Sequence, residues 1–166
     1  PIGKARVARE GKDLTIVTWS AMVYKALEAA ERLEKEDGLQ VEVLDLRTLL
    51  PMDDEAIMAS VRKTNRVLIA HEDTRTGGVA GEITARINDQ AFEWLDAPVR
   101  RVTAHDVPLP YAPTLEDLHV LDGFTFGPLY ERGWRKRLHN FAHAPASDQV
   151  AGSGTDVGGT PDAPKP

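Results

Sequence analysis

The fold is decided by residues 13–46, which read DLTIVTWSAMVYKALEAAERLEKEDGLQVEVLDL. The apolar and β-branched run at 14–18 predicts a strand. Ser20 is a candidate N-cap for a helix over 21–36, whose apolar residues recur every three or four positions along one face. After a glycine that ends this helix, residues 39–46 predict a second strand. A strand, a helix and a strand in this order predict a βαβ unit.

The same alternation continues along the chain. Pro51 opens a short helix, and a third strand follows at 66–70. A longer helical stretch then ends near Trp94, with apolar residues spaced four apart at Val79, Ile83, Ile87 and Ala91. Pro98 precedes a fourth strand at 99–103. Alternating strands and helices predict a three-layer α/β/α domain around a mostly parallel sheet, in which strands are covered on both faces.

The last third of the chain has a different composition. Residues 106–113 contain three prolines and predict an extended connection, after which a short helix is expected from Thr114 and another over 127–141. Residues 144–166 contain four Gly, four Pro and no aromatic residue, so burial cannot offset the entropy of ordering, and a disordered tail is expected. The predicted organisation is a domain at 1–117, a helical extension at 118–143 and a tail at 144–166.

Composition excludes several classes of function. Twenty Lys and Arg against 26 Asp and Glu give a net charge of −6, which argues against a nucleic-acid partner. The sequence has no cysteine, which excludes disulfides, thiolate metal sites and cysteine nucleophiles. Neither a membrane-spanning apolar run nor a secretory signal is visible, so no membrane partner is expected and the expected location is cytoplasmic. Because the chain begins at Pro1 within a predicted loop, it reads as a piece of something longer.

The end of the third predicted strand carries the best local candidate for chemistry. In open α/β sheets, ligands bind at the carboxyl ends of the strands, and His71, Glu72 and Asp73 lie there. A histidine beside two carboxylates can act as a general base or bind a metal ion. Successive strand residues point to opposite faces, however, so three neighbours rarely converge on one atom. A structural or interface role for the triplet is therefore favoured over a chemical one.

Four weaker patterns have structural alternatives. The glycines within 77–81 lie between a strand and a helix, where free N–H groups can hold a phosphate, although tight turning and close helix packing are the favoured explanation. His139 and His143 have metal-ligand spacing but no third ligand nearby. The basic group at 132–137 is most simply a solvated helix face. Ser20 lacks the flanking glycines of a hydrolase nucleophile elbow.

Several stretches taken together resemble one family. It is the β subunit of the E1 component of 2-oxo acid dehydrogenase complexes, of the pyruvate dehydrogenase type, in its transketolase C-terminal domain. The matching stretches, in family order, are PIGKA at 1–5, DLRTLLPMD at 45–53, SVRKTN at 60–65, GGVAGEI at 77–83, LDAPVRRVT at 95–103 and DVPLPYA at 106–112. Residues 118–143 fit the family poorly, and the tail has no recognised counterpart.

The resemblance implies a part of a thiamine diphosphate enzyme that decarboxylates a 2-oxo acid and transfers the acyl group to the lipoyl arm of E2. Thiamine diphosphate and Mg²⁺ are implied for the complete enzyme. The family's Gly-Asp-Gly…Asn-Asn cofactor motif and its pyrimidine-binding domain are absent from this sequence. The resemblance therefore implies that this chain binds no cofactor, is inactive alone, and serves subunit assembly and E2 docking.

The resemblance also implies roles for particular residues and partners. Asp96 matches an acidic position that can face the basic subunit-binding domain of E2, and the alternative is a turn residue before Ala97. His71 and Glu72 match the strand end that approaches the active site. The implied partners are the E1 α subunit or the remaining E1 domains, the E2 subunit-binding domain and further copies of the chain. The implied compartment is the cytoplasm, or the mitochondrial matrix in a eukaryote.

Two other functions remain open at this point. The chain could be a freestanding α/β binding module whose glycine turn at 77–81 holds an anion. It could also be the C-terminal domain of another thiamine enzyme, such as a transketolase or deoxyxylulose phosphate synthase. The stretches at 60–65 and 106–111 favour the pyruvate dehydrogenase type.

Overall fold

The computed structural model describes residues 1–104, 106 and 107. Five strands, three α-helices and one 3₁₀ turn make up this part of the chain. In order they are β1 (Arg6–Arg9), β2 (Leu14–Thr18), α1 (Met22–Asp37), β3 (Val41–Asp45), α2 (Asp54–Thr64), β4 (Val67–Thr74), α3 (Val79–Ala91), the 3₁₀ turn (Phe92–Trp94) and β5 (Arg100–Ala104). No helix among these residues is long and apolar enough to cross a membrane.

The strands form one sheet in the order β1-β3-β2-β4-β5. β2 pairs in parallel with β3 and β4, and β4 pairs in parallel with β5. The edge strand β1 pairs antiparallel with β3. The prediction of a mostly parallel sheet is confirmed, and β1 is an addition that the sequence pattern did not predict.

Helices cover both faces of the sheet. Alternate residues of β2 point to opposite faces, so that Leu14 and Ile16 pack with α1 while Val17 packs with α2 and α3. The α1 side contains Met22, Ala26, Ala30 and Leu33. The opposite side contains Ile57, Met58, Val61, Ala80, Ile83, Ile87 and Ala91. The predicted α/β/α layering is confirmed.

The helix ends show where sequence rules succeed and fail. Asp53 caps α2 by accepting a hydrogen bond from Ala56 N at 3.3 Å, and it also accepts one from Ala5 N at 2.9 Å. The bond from Ala5 N is the main cause that lowers the pKa of Asp53. The prediction that Ser20 caps α1 is wrong. Ser20 has a left-handed φ of 57°, and Ala21 occupies the N-cap position without a side-chain hydrogen bond.

A buried polar cluster lies near the amino ends of the central strands. Glu42 of β3 is 1% exposed, and its carboxylate accepts a hydrogen bond from Thr15 Oγ1 at 3.1 Å. The Lys63 ammonium, at the end of α2, pairs with Glu42 and reaches Glu10 at 2.5 Å. Hydrogen bonding to Glu10 and then to Glu42 raises the pKa of Lys63. The cluster joins β2, β3 and α2 at the end of the sheet where the parallel strands begin.

Several predictions fall outside the described residues. They concern the helices expected from Thr114 and over 127–141, the tail at 144–166, the His139 and His143 pair, and the basic group at 132–137. Most of the extended connection at 106–113 also lies there. The predicted division at residues 117 and 143 therefore stays a prediction.

Candidate functional site at the carboxyl ends of β2 and β4

The candidate site follows from the order of the strands. β2 connects through α1 to β3 on one side, whereas β4 connects through α3 to β5 on the other. Since α1 and α3 cover opposite faces, the chain diverges where β2 and β4 end. Open α/β sheets bind ligands at such a switch point, outside the carboxyl ends of the strands.

Two stacked rings occupy this point. Trp19 directly follows β2, and His71 lies in β4, which continues to Thr74 rather than ending at 70 as predicted. The ring centroids are 5.2 Å apart, and the planes differ by 12°. His71 is 1% exposed. The stack places an imidazole inside the fold at the position where this class of sheet binds its ligands.

Hydrogen bonding fixes the protonation of His71. Its Nδ1 accepts a hydrogen bond from Asp73 N at 3.1 Å, so the proton of the neutral ring is on Nε2. Burial lowers the pKa of His71, the charge of Arg101 lowers it further, and Asp73 opposes both. Within the described residues, Nε2 is buried and has no acceptor. The geometry therefore makes Nδ1 the acceptor and Nε2–H the donor of the neutral ring.

Gly78 brings the start of α3 against this ring. A Cβ at Gly78 would lie 2.3 Å from Thr74 O and 2.7 Å from His71 Cε1. Gly77 has a φ of +78°, which favours glycine for a different reason. The structure therefore supports the tight-turn interpretation of both glycines. Gly78 is the N-cap residue of α3 and has no side chain that could accept a hydrogen bond from the N–H groups of the first turn.

The other members of the predicted triplet point elsewhere. Glu72 and Asp73 are exposed whereas His71 is buried. Alternation along β4 places Glu72 on the opposite face from His71. The carboxylate of Asp73 accepts a hydrogen bond from Thr74 N at 2.7 Å. No three His, Asp or Glu side chains in the described residues are grouped to hold a metal ion. The proximity of His71 and Glu72 to a larger active site stays a prediction.

Asp96 lies apart from this site, after the 3₁₀ turn. Its carboxylate pairs with Arg66 at 3.0 Å, and its N–H donates to Asn65 O at 2.9 Å. Asn65 Nδ2 donates to Trp94 O at 2.6 Å, so the turn is fastened to the loop between α2 and β4. The side chain of Asp96 remains 29% exposed. Its turn role is thus visible, and its docking role stays a prediction.

Three residues near His71 and Asp96 were not predicted as site residues from the sequence. Trp19, Arg66 and Arg101 appeared only as members of predicted strands or loops. Trp19 and His71 are 52 residues apart, and Arg66 and Asp96 are 30 apart, so no local pattern connects either pair. The position of Trp19 one residue after a central strand is the only signal that could have indicated it.

Comparison with known proteins agrees with this architecture. Residues 3–123 match the model of the family described as "Transketolase, C-terminal domain". The chain belongs to this family. The predicted resemblance is thereby confirmed at the level of the domain, and the family match includes every element of the described sheet.

Curated relatives of this transketolase C-terminal domain are E1 β subunits. The chain is 50% identical over 123 residues to the 2-oxoisovalerate dehydrogenase subunit beta of Bacillus subtilis, covering 74% of this chain and 37% of that protein. It is 52% identical over 118 residues to the mitochondrial pyruvate dehydrogenase E1 component subunit beta-1 of Arabidopsis thaliana, covering 71% and 32%. The chain thus spans about a third of the length of these relatives.

A solved structure shares the fold. It is a split-gene transketolase described as an inactive β4 tetramer, with a TM-score of 0.61 and 33% sequence identity. The match covers 74% of this chain and 37% of that one. The sequence is therefore more similar to the E1 β subunits than to this transketolase.

Proposed function

We propose that the chain is the C-terminal domain of the E1 β subunit of a 2-oxo acid dehydrogenase complex. The complete enzyme would decarboxylate pyruvate or a related 2-oxo acid oxidatively and transfer the acyl group to lipoyl-E2. The observation that carries this proposal is the identity of 50% and 52% to two such β subunits, against 33% to a transketolase. One relative is named for 2-oxoisovalerate and the other for pyruvate, so the proposal covers both substrates.

We infer that this part of the enzyme serves assembly rather than the chemical step. The residues of this chain do not form a recognisable site for thiamine diphosphate and Mg²⁺. The Gly-Asp-Gly…Asn-Asn motif is missing from the sequence. The described part offers no group of three His, Asp or Glu side chains for a metal ion. We accordingly assign the cofactor to the other parts of the complete enzyme. The proposed partners of this chain are the E1 α subunit and further copies of the chain.

The proposed E2-docking surface surrounds Asp96. We assign to it Asp96 together with Asp89, Phe92, Glu93 and Trp94, which precede it in the sequence. Phe92 is 68% exposed and Trp94 is 44% exposed, which leaves two aromatic side chains available to a partner. Three carboxylates beside them suit a basic partner such as the E2 subunit-binding domain. Arg66 already pairs with Asp96, so that docking must share or displace this contact.

Binding of the E2 subunit-binding domain tests this surface. Asp96→Asn removes the charge and keeps the shape, and we expect it to weaken binding about tenfold, mainly at low salt. Glu31→Gln is the matched control. It removes the same charge from an exposed position on α1, across the sheet. Lower thermal stability of Asp96→Asn with unchanged affinity would instead assign Asp96 to the turn alone.

The compartment that we propose for the chain is that of the complete dehydrogenase complex. In a bacterium it would be the cytoplasm, and in a eukaryote the mitochondrial matrix, since the Arabidopsis relative is named as mitochondrial. Co-fractionation of the chain with E2 in a cell extract tests this assignment.

A further inference from the structure

We propose that the amino end of α3 binds a phosphate group, held by the N–H groups of Val79 and Ala80, the guanidinium of Arg101 and the Nε2–H of His71. This inference does not depend on the E1 assignment. It concerns the switch point of the sheet, whereas the proposed E2-docking surface lies at the other end of α3.

The first turn of α3 supplies main-chain donors. The helix has 13 residues, begins at Gly78 without a side-chain cap, and has Gly81 N donating to Gly78 O at 3.1 Å. Val79 and Ala80 lie between these two, at positions whose N–H groups have no partner within a helix. The helix dipole places partial positive charge at the same end. Main-chain donors and positive charge together favour an oxyanion.

The side chain of His71 gives a second reason, separate from the helix terminus, to expect a ligand at the start of α3. This side chain is 1% exposed, and its Nε2 finds no acceptor among the described residues. Nε2 lies 3.2 Å from the Cβ position of Gly78, so the donor edge of the ring faces the start of α3. A buried N–H without an acceptor is costly, and an oxygen at this point would satisfy it.

Arg101 adds a full positive charge beside the same turn. Its Nη1 lies 3.7 Å from the Cβ position of Gly81 and 3.5 Å from Arg75 O. Among the described residues it forms no ion pair with a carboxylate. Arg101 is therefore a cation without a described carboxylate partner, held next to the helix N-terminus.

Nearby carboxylates are already engaged. Asp106 accepts hydrogen bonds from Thr76 N at 2.8 Å and from Thr76 Oγ1 at 2.7 Å, and the first of these is the main cause that lowers its pKa. Asp73 accepts from Thr74 N, and Glu82 pairs with Arg86 at 2.8 Å. These three carboxylates therefore have partners of their own in the loop and the helix.

The donor set indicates the class of ligand. The two oxygens of a carboxylate accept about four hydrogen bonds, all near one plane, whereas two main-chain N–H groups, an imidazole N–H and a guanidinium come from three different elements. A phosphate group presents three oxygens and a larger charge. The site therefore suits a phosphate, free or on a small metabolite.

Titration of the full chain with inorganic phosphate, followed by ¹H–¹⁵N NMR at constant ionic strength, tests the site. We expect saturable shifts of the Val79 and Ala80 amides. Arg101→Gln should weaken binding about tenfold or more, because a charged hydrogen bond is lost. Arg100→Gln is the matched control, since it removes the same charge from the neighbouring residue on the opposite face of β5. We expect it to leave the affinity unchanged.

A second variant keeps the test independent of Arg101. Val79→Pro removes one proposed donor at the first position of the helix, where proline is tolerated, and Gly78 before it has an extended backbone. Its affinity should fall several-fold while Ala80 still reports binding. Absence of saturable shifts, equal affinity of Arg101→Gln and Arg100→Gln, or equally tight binding of acetate would each overturn the proposal.

Discussion

The contact between Gly78 and His71 makes a strong prediction about stability. Gly78→Ala would place a Cβ 2.3 Å from Thr74 O and 2.7 Å from His71 Cε1. The φ of Gly78 is −68°, which alanine adopts without strain, so the effect is steric. β4 and the start of α3 must therefore separate, because moving the His71 ring would leave the contact with Thr74 O in place.

The loss in free energy of unfolding depends on whether the atoms that the new Cβ meets can move away. Overpacking a core costs about 1–3 kcal/mol, and a main-chain carbonyl that cannot rotate away places this site near the upper value. Reduced entropy of the unfolded chain returns about 0.4–1 kcal/mol. We therefore expect Gly78→Ala to lower the free energy of unfolding by about 2 kcal/mol. In urea this corresponds to a midpoint lower by about 1 M.

Gly81→Ala is the control for this experiment. Its Cβ would lie 3.7 Å from Arg101 Nη1, an ordinary contact, and the position is inside α3. Alanine should therefore stabilise the chain by about 0.5–1 kcal/mol. Urea unfolding of both variants, followed by circular dichroism, should shift the midpoints in opposite directions. An unchanged midpoint for Gly78→Ala would refute the close packing of His71 against α3.

Three further predictions concern other parts of the fold. Lys63→Met should cost about 2–3 kcal/mol in urea unfolding, because it leaves the buried Glu42 carboxylate without its cation, and Glu42→Gln should restore most of this loss in the double variant. Burial lowers the pKa of His71 in the folded chain, so the unfolded chain takes up a proton at higher pH. The free energy of unfolding should therefore fall as the pH drops from 6.5 toward the folded-state pKa of His71. A Cε1 proton resonance of His71 that titrates above pH 6.5 would contradict this prediction. Ser20→Gly should raise the urea midpoint slightly, by about 0.5 kcal/mol in free energy, because relief of the left-handed φ of 57° exceeds the entropy that glycine adds, and a lower midpoint would oppose this account.

Periodicity predicted the central part of the fold because burial imposes it. The strands β2, β3 and β5 and the helices α1 and α3 have apolar residues at the spacing their geometry requires. β1 was not predicted, since Arg6–Arg9 has only four residues, with Val7 and Ala8 between two arginines, and lies on a half-exposed edge of the sheet. β4 was predicted too short because its last residues are polar.

The candidate site was harder to predict because it depends on contacts that are distant in sequence. The sequence indicated His71 and the glycines as candidates in one region, although β4 continues three residues beyond His71. It did not indicate that Trp19 stacks on the ring, that Arg101 crosses the start of α3, or that Asp96 pairs with Arg66. Each contact follows from the order of the strands, which a single sequence does not encode in local patterns. Ser20 failed as a cap because the turn after β2 requires a left-handed residue there.

Calorimetric titration of the full chain tests the central proposal most directly. Thiamine diphosphate with Mg²⁺ is added in one cell, and the E2 subunit-binding domain in another. An assembly domain without its own cofactor site predicts saturable heat with the E2 domain and none with the cofactor. Heat with the cofactor and none with the E2 domain would contradict the account, because it would place cofactor recognition in this domain.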